Sequence, residues 1–249
     1  MTEATNPMRT AIVTGAASGI GAATAALLVT RGYRVACIDR DASGLRTTMA
    51  SIGAPHVAFT VDVTDEAEVT RVFAEAVAAL GSLDALVTSA GVAEMTPFME
   101  LDAATFRRVY DDNVVGTFLC IREAARHMVA GGRICTVASV AGLRGGGLSG
   151  TAAYAASKGA VLALSKSAAR SLADKGIAVN TIAPGATMTP MIAHVFADDA
   201  HRKRVESMSV MNRAAQPDEI ARAIAFLISP DAAYVDGATL VADGGLCMY

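Results

Sequence analysis

A tyrosine and a lysine stand four residues apart in Tyr154-Ala155-Ala156-Ser157-Lys158, inside an alanine-rich stretch patterned like a buried helix. On a helix, positions i and i+4 share a face one turn apart, so the phenol and the ammonium emerge at one spot. An ammonium near a phenol favours the phenolate and is expected to lower the tyrosine pKa from its ordinary value of ~10. A phenol adjusted in that way gives a proton to an alkoxide, or takes one from an alcohol, near neutral pH. The plainer alternative is a tyrosine that packs while its lysine reaches along an apolar surface to water. The rest of the chain decides between the two.

A second group of residues speaks of an anion. Thr14-Gly15-Ala16-Ala17-Ser18-Gly19-Ile20-Gly21 follows a short apolar run and opens a helical pattern. Glycines at this spacing allow a tight turn and a close backbone approach to a pyrophosphate. The helix start offers unpaired N–H groups to the anion, with Ile20 in the first turn. The strand–turn–helix context is what a dinucleotide site requires. The next apolar run ends at Asp39, whose carboxylate can accept from adenosine ribose hydroxyls and repel a 2′-phosphate. Ser18 is neutral and supplies no cation for that phosphate. Arg40 argues the other way, because guanidinium groups bind phosphates. Asp39 occupies the position where the hydroxyls arrive, so NAD is expected over NADP. Asp62 and Val63, after the third apolar run, are candidates to bond and cover the adenine, the alternative for Asp62 being a helix cap.

These residues need a frame. Strand candidates are Thr10–Thr14, Arg34–Asp39, Val57–Val61, Ala85–Thr88, Gly132–Ala138, Ala178–Ile182 and Thr239–Val241. Helical candidates lie between them at Gly19–Arg31, Ala42–Ser51, Asp65–Leu80, Ala103–Ala130, Ala152–Lys175 and Pro217–Ile228. Apolar strands alternating with helices predict βαβ units and a parallel sheet whose strands are buried on both faces. The expected fold is α/β, a single-domain Rossmann-type doubly wound parallel sheet of about seven strands with helices on both faces. Residues 1–249 show no repeat and no composition break. The segment Thr187–Arg213 has four methionines and no place in the alternation, and is expected to be a substrate lid or a surface excursion.

Composition narrows the class further. Hydrophobic residues make up 53% of the 249 and charged residues 18%, a balance suited to a large core. A net charge of −3 gives no reason to expect nucleic acid or an anionic membrane as partner. Cys37, Cys120, Cys135 and Cys247 show no paired spacing, and the four histidines form no ligand pattern. Reduced, mostly buried thiols and no metal site are expected. The first ten residues are polar and no long apolar run follows, so a soluble cytoplasmic protein is expected.

Together the residues resemble the short-chain dehydrogenase/reductase family over nearly the whole chain. Gly15, Gly19 and Gly21 resemble its cofactor loop, Asp39 the acidic residue of its NAD-preferring members, and Tyr154 with Lys158 its Tyr-x-x-x-Lys pair. Asn113, in Asp112-Asn113-Val114-Val115-Gly116, is similar to its active-site asparagine. Ser139 stands at the end of the fifth strand, and Asp243-Gly244-Gly245 resembles a C-terminal signature. Asn180-Thr181-Ile182-Ala183-Pro184-Gly185 is similar to the stretch that turns beneath the nicotinamide. Pro184, Gly185 and Thr187 would line the cofactor there, with Thr189 bonding its carboxamide.

The resemblance implies a hydride passed between the nicotinamide and a carbon bearing the substrate oxygen. Tyr154 would be the general acid/base, Lys158 the holder of the nicotinamide ribose, Ser139 a donor to the substrate oxygen, and Asn113 the support of a relay water. The partner implied is a small alcohol or ketone, and the assembly a homotetramer or dimer.

Two departures stand out. Thr88-Ser89-Ala90-Gly91 replaces the usual Asn-Asn-Ala-Gly beside the cofactor ribose, so altered local bracing is expected. Ser139 and Tyr154 are also farther apart than usual, the extra length falling in residues 144–150, which are expected to border the substrate. Met95, Met188, Met191 and Leu148 are candidates for an apolar pocket wall. The competing readings are a 3-oxoacyl-(acyl-carrier-protein) reductase and a non-catalytic NAD-binding sensor.

Overall fold

The computed structural model describes residues 8–146 and 152–248. The elements run β1 (Thr10–Thr14), α1 (Gly19–Thr30), β2 (Arg34–Asp39), α2 (Ala42–Ile52), β3 (Val57–Thr60), α3 (Glu66–Leu80), β4 (Ala85–Thr88) and α4 (Ala103–Tyr110). A π-helical turn, Asp111–Val115, leads into α5 (Gly116–His127) and β5 (Arg133–Val137). Then come α6 (Ala141–Arg144), α7 (Ala152–Leu172), β6 (Ala178–Pro184), α8 (Ala193–Phe196), α9 (Asp199–Glu206), α10 (Pro217–Leu227) and β7 (Thr239–Ala242).

All seven strands pair in parallel, in the order β3-β2-β1-β4-β5-β6-β7. This is the doubly wound Rossmann-type sheet that the alternation predicts. Successive side chains of a strand point to opposite faces, and the core divides accordingly. Ile12, Ile38, Leu86 and Ile134 pack with Phe73 of α3 and Leu119 of α5 on one face. Val13, Val35, Val87 and Ile182 pack with Leu28 of α1 and Ile224 of α10 on the other. The inner strands are buried on both faces, but β3 and β7, at the sheet edges, have partly exposed positions. An edge strand is covered less completely because no neighbouring strand brings a further helix over it.

Among the described residues, four helices start on their own aspartates. Asp41, Asp65, Asp102 and Asp198 accept from the backbone N–H of Ser43, Glu68, Thr105 and His201, which satisfies donors that a helix start leaves free. In α1, by contrast, Ser18 occupies the cap position with no side-chain bond.

One sequence expectation needs correcting. The helix expected over Ala103–Ala130 is broken by the π-helical turn and ends at His127, where Met128 becomes extended. A single inserted residue shifts the apolar stripe by only about one position, too small a change to separate from ordinary irregularity in the pattern, and such turns gather at functional sites. The segment 187–213 holds α8 and α9, and Ile192 packs against Val205. Its ends are tied by a parallel bridge between Thr187 and Ala215 and by Met211 N–H donating to Gly244 O at 3.0 Å.

Candidate active site

In a doubly wound sheet, the crevice lies at the carboxyl ends of the strands, where the order reverses. Here β1 lies between β2 and β4, and a cavity of about 270 Å³ opens at that point. Residues following all six of the strands β1 to β6 line it: Gly15, Arg40, Asp62, Ser89, Ser139 and Gly185.

The glycine loop forms the floor. Gly15 has φ 70°, and a Cβ there would lie 2.5 Å from the backbone of Ser89 and Ala90. Gly19, at φ 54°, faces the methyl of Thr189, which a Cβ would meet at 3.1 Å. Ser18, Gly19 and Ile20 line the cavity. Gly21 does not face it; a Cβ there would collide with the carbonyl of Gly15, so this glycine seats α1 on the loop. Because α1 has no side-chain cap, its first N–H groups are left for an anion. Glycines only where the backbone closes in, beside an uncapped helix start, fit the pyrophosphate of a dinucleotide.

One end of the cavity is charged. Asp39 accepts from Ala17 N–H at 3.0 Å and from Asp41 N–H at 2.9 Å, so its carboxylate also shapes the loop. Arg40 Nη1 lies 3.1 Å from Asp112 Oδ1 and 3.6 Å from Asp62 Oδ2. Burial pushes the Asp112 carboxyl up, more than the nearby Arg40 pulls it down. Burial also acts to raise Asp62, but bonds from Thr64 and the charge of Arg40 outweigh it and leave the carboxyl low. Val63 packs against Gly116, where a Cβ would lie 2.6 Å from its side chain.

The other end is buried. Tyr154, Lys158 and Ser139 line it, with Tyr154 and Lys158 both on α7. Lys158 Nζ lies 5.8 Å from the Tyr154 ring centre and donates to Val137 O at 2.9 Å. Gly91 leaves room there, since a Cβ would lie 3.4 Å from that Nζ and 2.8 Å from Asn113 Oδ1. Ser139 lies two residues beyond β5, and its Oγ accepts from Ala141 N–H at 3.1 Å. The α6 turn after it sits directly on α7: a Cβ on Gly142 would lie 2.5 Å from the Gly159 backbone nitrogen. That contact brings Ser139 to Tyr154.

The electrostatics differ from the sequence expectation. Burial pushes the Tyr154 phenol up, against the pull of its hydrogen bond with Ser139. Burial also lowers Lys158 from 10.5 to about 8. The depressed phenol expected from the spacing is therefore absent in the protein alone, because both groups lose hydration together.

Asn113 is fully buried and does not line the cavity. Its Nδ2 donates to Val92 O at 3.0 Å and to Ser157 Oγ at 2.9 Å, and its Oδ1 accepts from Val92 N–H at 2.8 Å. Ser157 in turn donates to Tyr154 O at 2.7 Å. The asparagine thus ties the strand β4 exit to α7.

Of the remaining expected residues, Ala90, Gly91, Pro184, Thr187 and Thr189 line the cavity. Met191 does too, while Met188 lines a separate depression with Phe196 and Arg202. Leu148 and most of the lengthened loop lie outside the described residues. Asp112, Ser157 and Gly142 were missed by sequence reasoning, although each adjoins or falls within a stretch it singled out. Buried Cys37, Cys120 and Cys135 are pushed up to about 12, which removes them as nucleophiles. No cluster of three potential metal ligands occurs among the described residues. No helix among them is long and apolar enough to cross a membrane.

A parallel sheet with a dinucleotide crevice and a Ser/Tyr/Lys corner defines a class, and comparison with known proteins agrees. A family model described as Enoyl-(Acyl carrier protein) reductase matches residues 15–247. The chain belongs to the short-chain dehydrogenase/reductase family. It is 44% identical over 242 residues to cis-4-hydroxycyclohexanecarboxylate dehydrogenase of Sinomonas cyclohexanicum, covering 95% of this chain and 96% of that one. With D-threitol dehydrogenase of Mycolicibacterium smegmatis it shares 40% identity, over 95% of this chain and 92% of the relative. A crystal structure of a dehydrogenase/reductase from Sinorhizobium meliloti 1021 superposes with a TM-score of 0.91 at 36% identity, over 96% and 95% of the two chains. The protein is accordingly an oxidoreductase that acts on CH–OH groups of small molecules with a nicotinamide cofactor.

Proposed function

We propose that this protein is an NAD-dependent oxidoreductase that interconverts a secondary alcohol and a ketone, with Tyr154 as general acid/base. The observation that carries the reading is the corner at the end of the cavity where Ser139 meets buried Tyr154 and Lys158. The bound nicotinamide would supply the hydride acceptor or donor. Tyr154 Oη would take the proton from the alcohol, or return it to the forming alkoxide. Ser139 Oγ would donate to the substrate oxygen and orient it. Lys158 would hold the ribose hydroxyls while its charge, together with the oxidised ring, draws the Tyr154 phenol down. Asn113, locked to Val92 and Ser157, would fix the backbone where a relay water reaches Lys158.

Asp39 would select NAD through the ribose hydroxyls, with Asp62 and Val63 at the adenine. Residues 187–213 would act as a lid on one catalytic domain, hinged where Thr187 meets Ala215. The protein would work in the cytoplasm as a homo-oligomer, tetramer or dimer. Exposed Phe106, Tyr110 and Phe118 along α4 and α5 support that association, and sedimentation velocity measures it.

The relatives' names point to alicyclic and open-chain polyol substrates. The test is reduction of NAD⁺, followed at 340 nm, over a panel of hydroxycyclohexane carboxylates, cyclic alcohols and polyols, with an enoyl thioester and a 3-oxoacyl thioester run against NADH. Turnover of a secondary alcohol with NAD⁺ is expected. Reduction of the thioesters alone, or binding of NADH with no turnover across the panel, would replace this reading.

A further inference from the structure

A 2′-phosphate is recognised by a cation with free donors near the tip of the second strand. Arg40 and Lys158 are the lysine or arginine side chains that line the cavity among the described residues, and Lys158 belongs to the opposite end. Arg40 follows Asp39 directly and is half-exposed, so burial does not restrain it. Its Nη1 is nevertheless held 3.1 Å from Asp112 Oδ1, with Asp62 Oδ2 at 3.6 Å. Asp112 is the anchoring partner, because it is buried, faces the cavity and follows the start of the π-helical turn. Its other oxygen lies 4.0 Å from Arg108 Nη1, and Arg108 Nη2 bonds Glu94 at 3.3 Å. In the π-helical turn three consecutive residues, Asp112, Asn113 and Val114, are all buried, so the helix presents Asp112 toward β2 while Asn113 reaches Ser157.

We propose that Asp112 is a selectivity residue for the cofactor, acting by sequestering Arg40 so that its guanidinium does not reach a 2′-phosphate. The cavity then discriminates against NADP by two devices: repulsion from Asp39 and the tying back of Arg40, the cation that follows it. Asp112 is a positioning residue and needs no contact with the cofactor. The proposal rests on the dinucleotide reading given under Proposed function.

The test uses adenosine fragments, so that no catalytic step intervenes. Calorimetric dissociation constants for 5′-AMP and 2′,5′-ADP are measured on the full chain for wild type, Asp112→Asn, Arg40→Ala and the double variant. Asp112→Asn is expected to raise the preference for 2′,5′-ADP about tenfold, the value of one charge-assisted hydrogen bond. That gain should disappear in the Arg40→Ala background. Arg40→Ala alone should move the preference by less than about twofold, because a tied-back guanidinium contributes little; this arm stands even if Asp112→Asn fails to fold. An unchanged preference in Asp112→Asn, a gain that survives loss of Arg40, or a tenfold loss in Arg40→Ala would overturn the proposal. Wild-type protein that favours 2′,5′-ADP over 5′-AMP would instead remove the NAD reading, and that result is seen before any variant is made.

Discussion

The two ends of the cavity are built on opposite principles. At the proposed adenine end, charges are numerous, partly exposed and already matched: Asp39 by amides of its own loop, Arg40 by Asp62 and Asp112. At the proposed catalytic end, two titratable groups are buried together, with a serine and a backbone carbonyl as partners among the described residues. Recognition can use satisfied groups, because it needs only shape and repulsion. Proton transfer needs a phenol brought nearer neutral pH. Burial alone moves Tyr154 the other way, so the lowering would have to come from Lys158 and a bound oxidised ring.

The sharpest test of that contrast removes the phenolic hydroxyl. Tyr154→Phe should lower kcat on the order of 10²- to 10⁴-fold, the usual contribution of a positioned acid/base. NADH binding, measured by fluorescence, should be largely retained. Rates near wild type would assign the proton transfer elsewhere.

Lys158→Met separates function from stability. It should remove most activity while raising the stability of the protein without cofactor. Burial lowers Lys158 from 10.5 to about 8, so the unfolded chain binds more protons between those values and stability climbs with pH across that window. The cost relieved is about 3 kcal/mol at neutral pH, as an order of magnitude. Tyr154, raised above 10, acts in the opposite sense above pH 10, so the profile is read as wild type minus Lys158→Met in urea melts at pH 7 to 10. A variant less stable than wild type at pH 7 would mean that the bond to Val137 O outweighs the buried charge.

At the adenine end the effects should be smaller. Asp39→Ala should improve kcat/KM with NADPH relative to NADH by about one to two powers of ten, the scale on which one removed repulsion acts. Because the same carboxylate accepts from Ala17 and Asp41, some loss with NADH should accompany the gain. An unchanged ratio would remove Asp39 as discriminator.

The smallest effect belongs between the two ends. Thr88 Oγ1 is buried with no partner among the described residues, one residue before Ser89. A buried unsatisfied hydroxyl costs roughly 1–3 kcal/mol, so Thr88→Val should stabilise the protein by about 1 kcal/mol in urea melts and leave activity near wild type. A loss of stability would reveal a partner for that hydroxyl.

Where residue type and spacing together dictate an outcome, the sequence could be read. Glycines at 15, 19 and 21 mark close backbone approach after a strand, and the alanine-rich stretch around Tyr154 and Lys158 reads as a helix that sets the two one turn apart. The parallel sheet of about seven strands followed from the alternation of apolar strands with helices. What could not be read depends on a few tenths of an ångström across the fold. The π-helical turn that aims Asp112, the contact of Gly142 with α7, and the orphan hydroxyl of Thr88 all arise from packing between elements far apart in the chain. The pKa shifts belong to this second kind, because a spacing rule counts the charge of Lys158 but not the water that both groups lose.

The bare start of α1 has a further consequence. Four helices are completed by aspartates encoded beside them, whereas the first is left to be completed by a solute. The amides of Gly19 to Gly21 should then exchange with solvent freely in the empty protein and slow sharply once a dinucleotide binds. Through mass action, the supply of that nucleotide sets how firmly the amino-terminal third of the chain is closed.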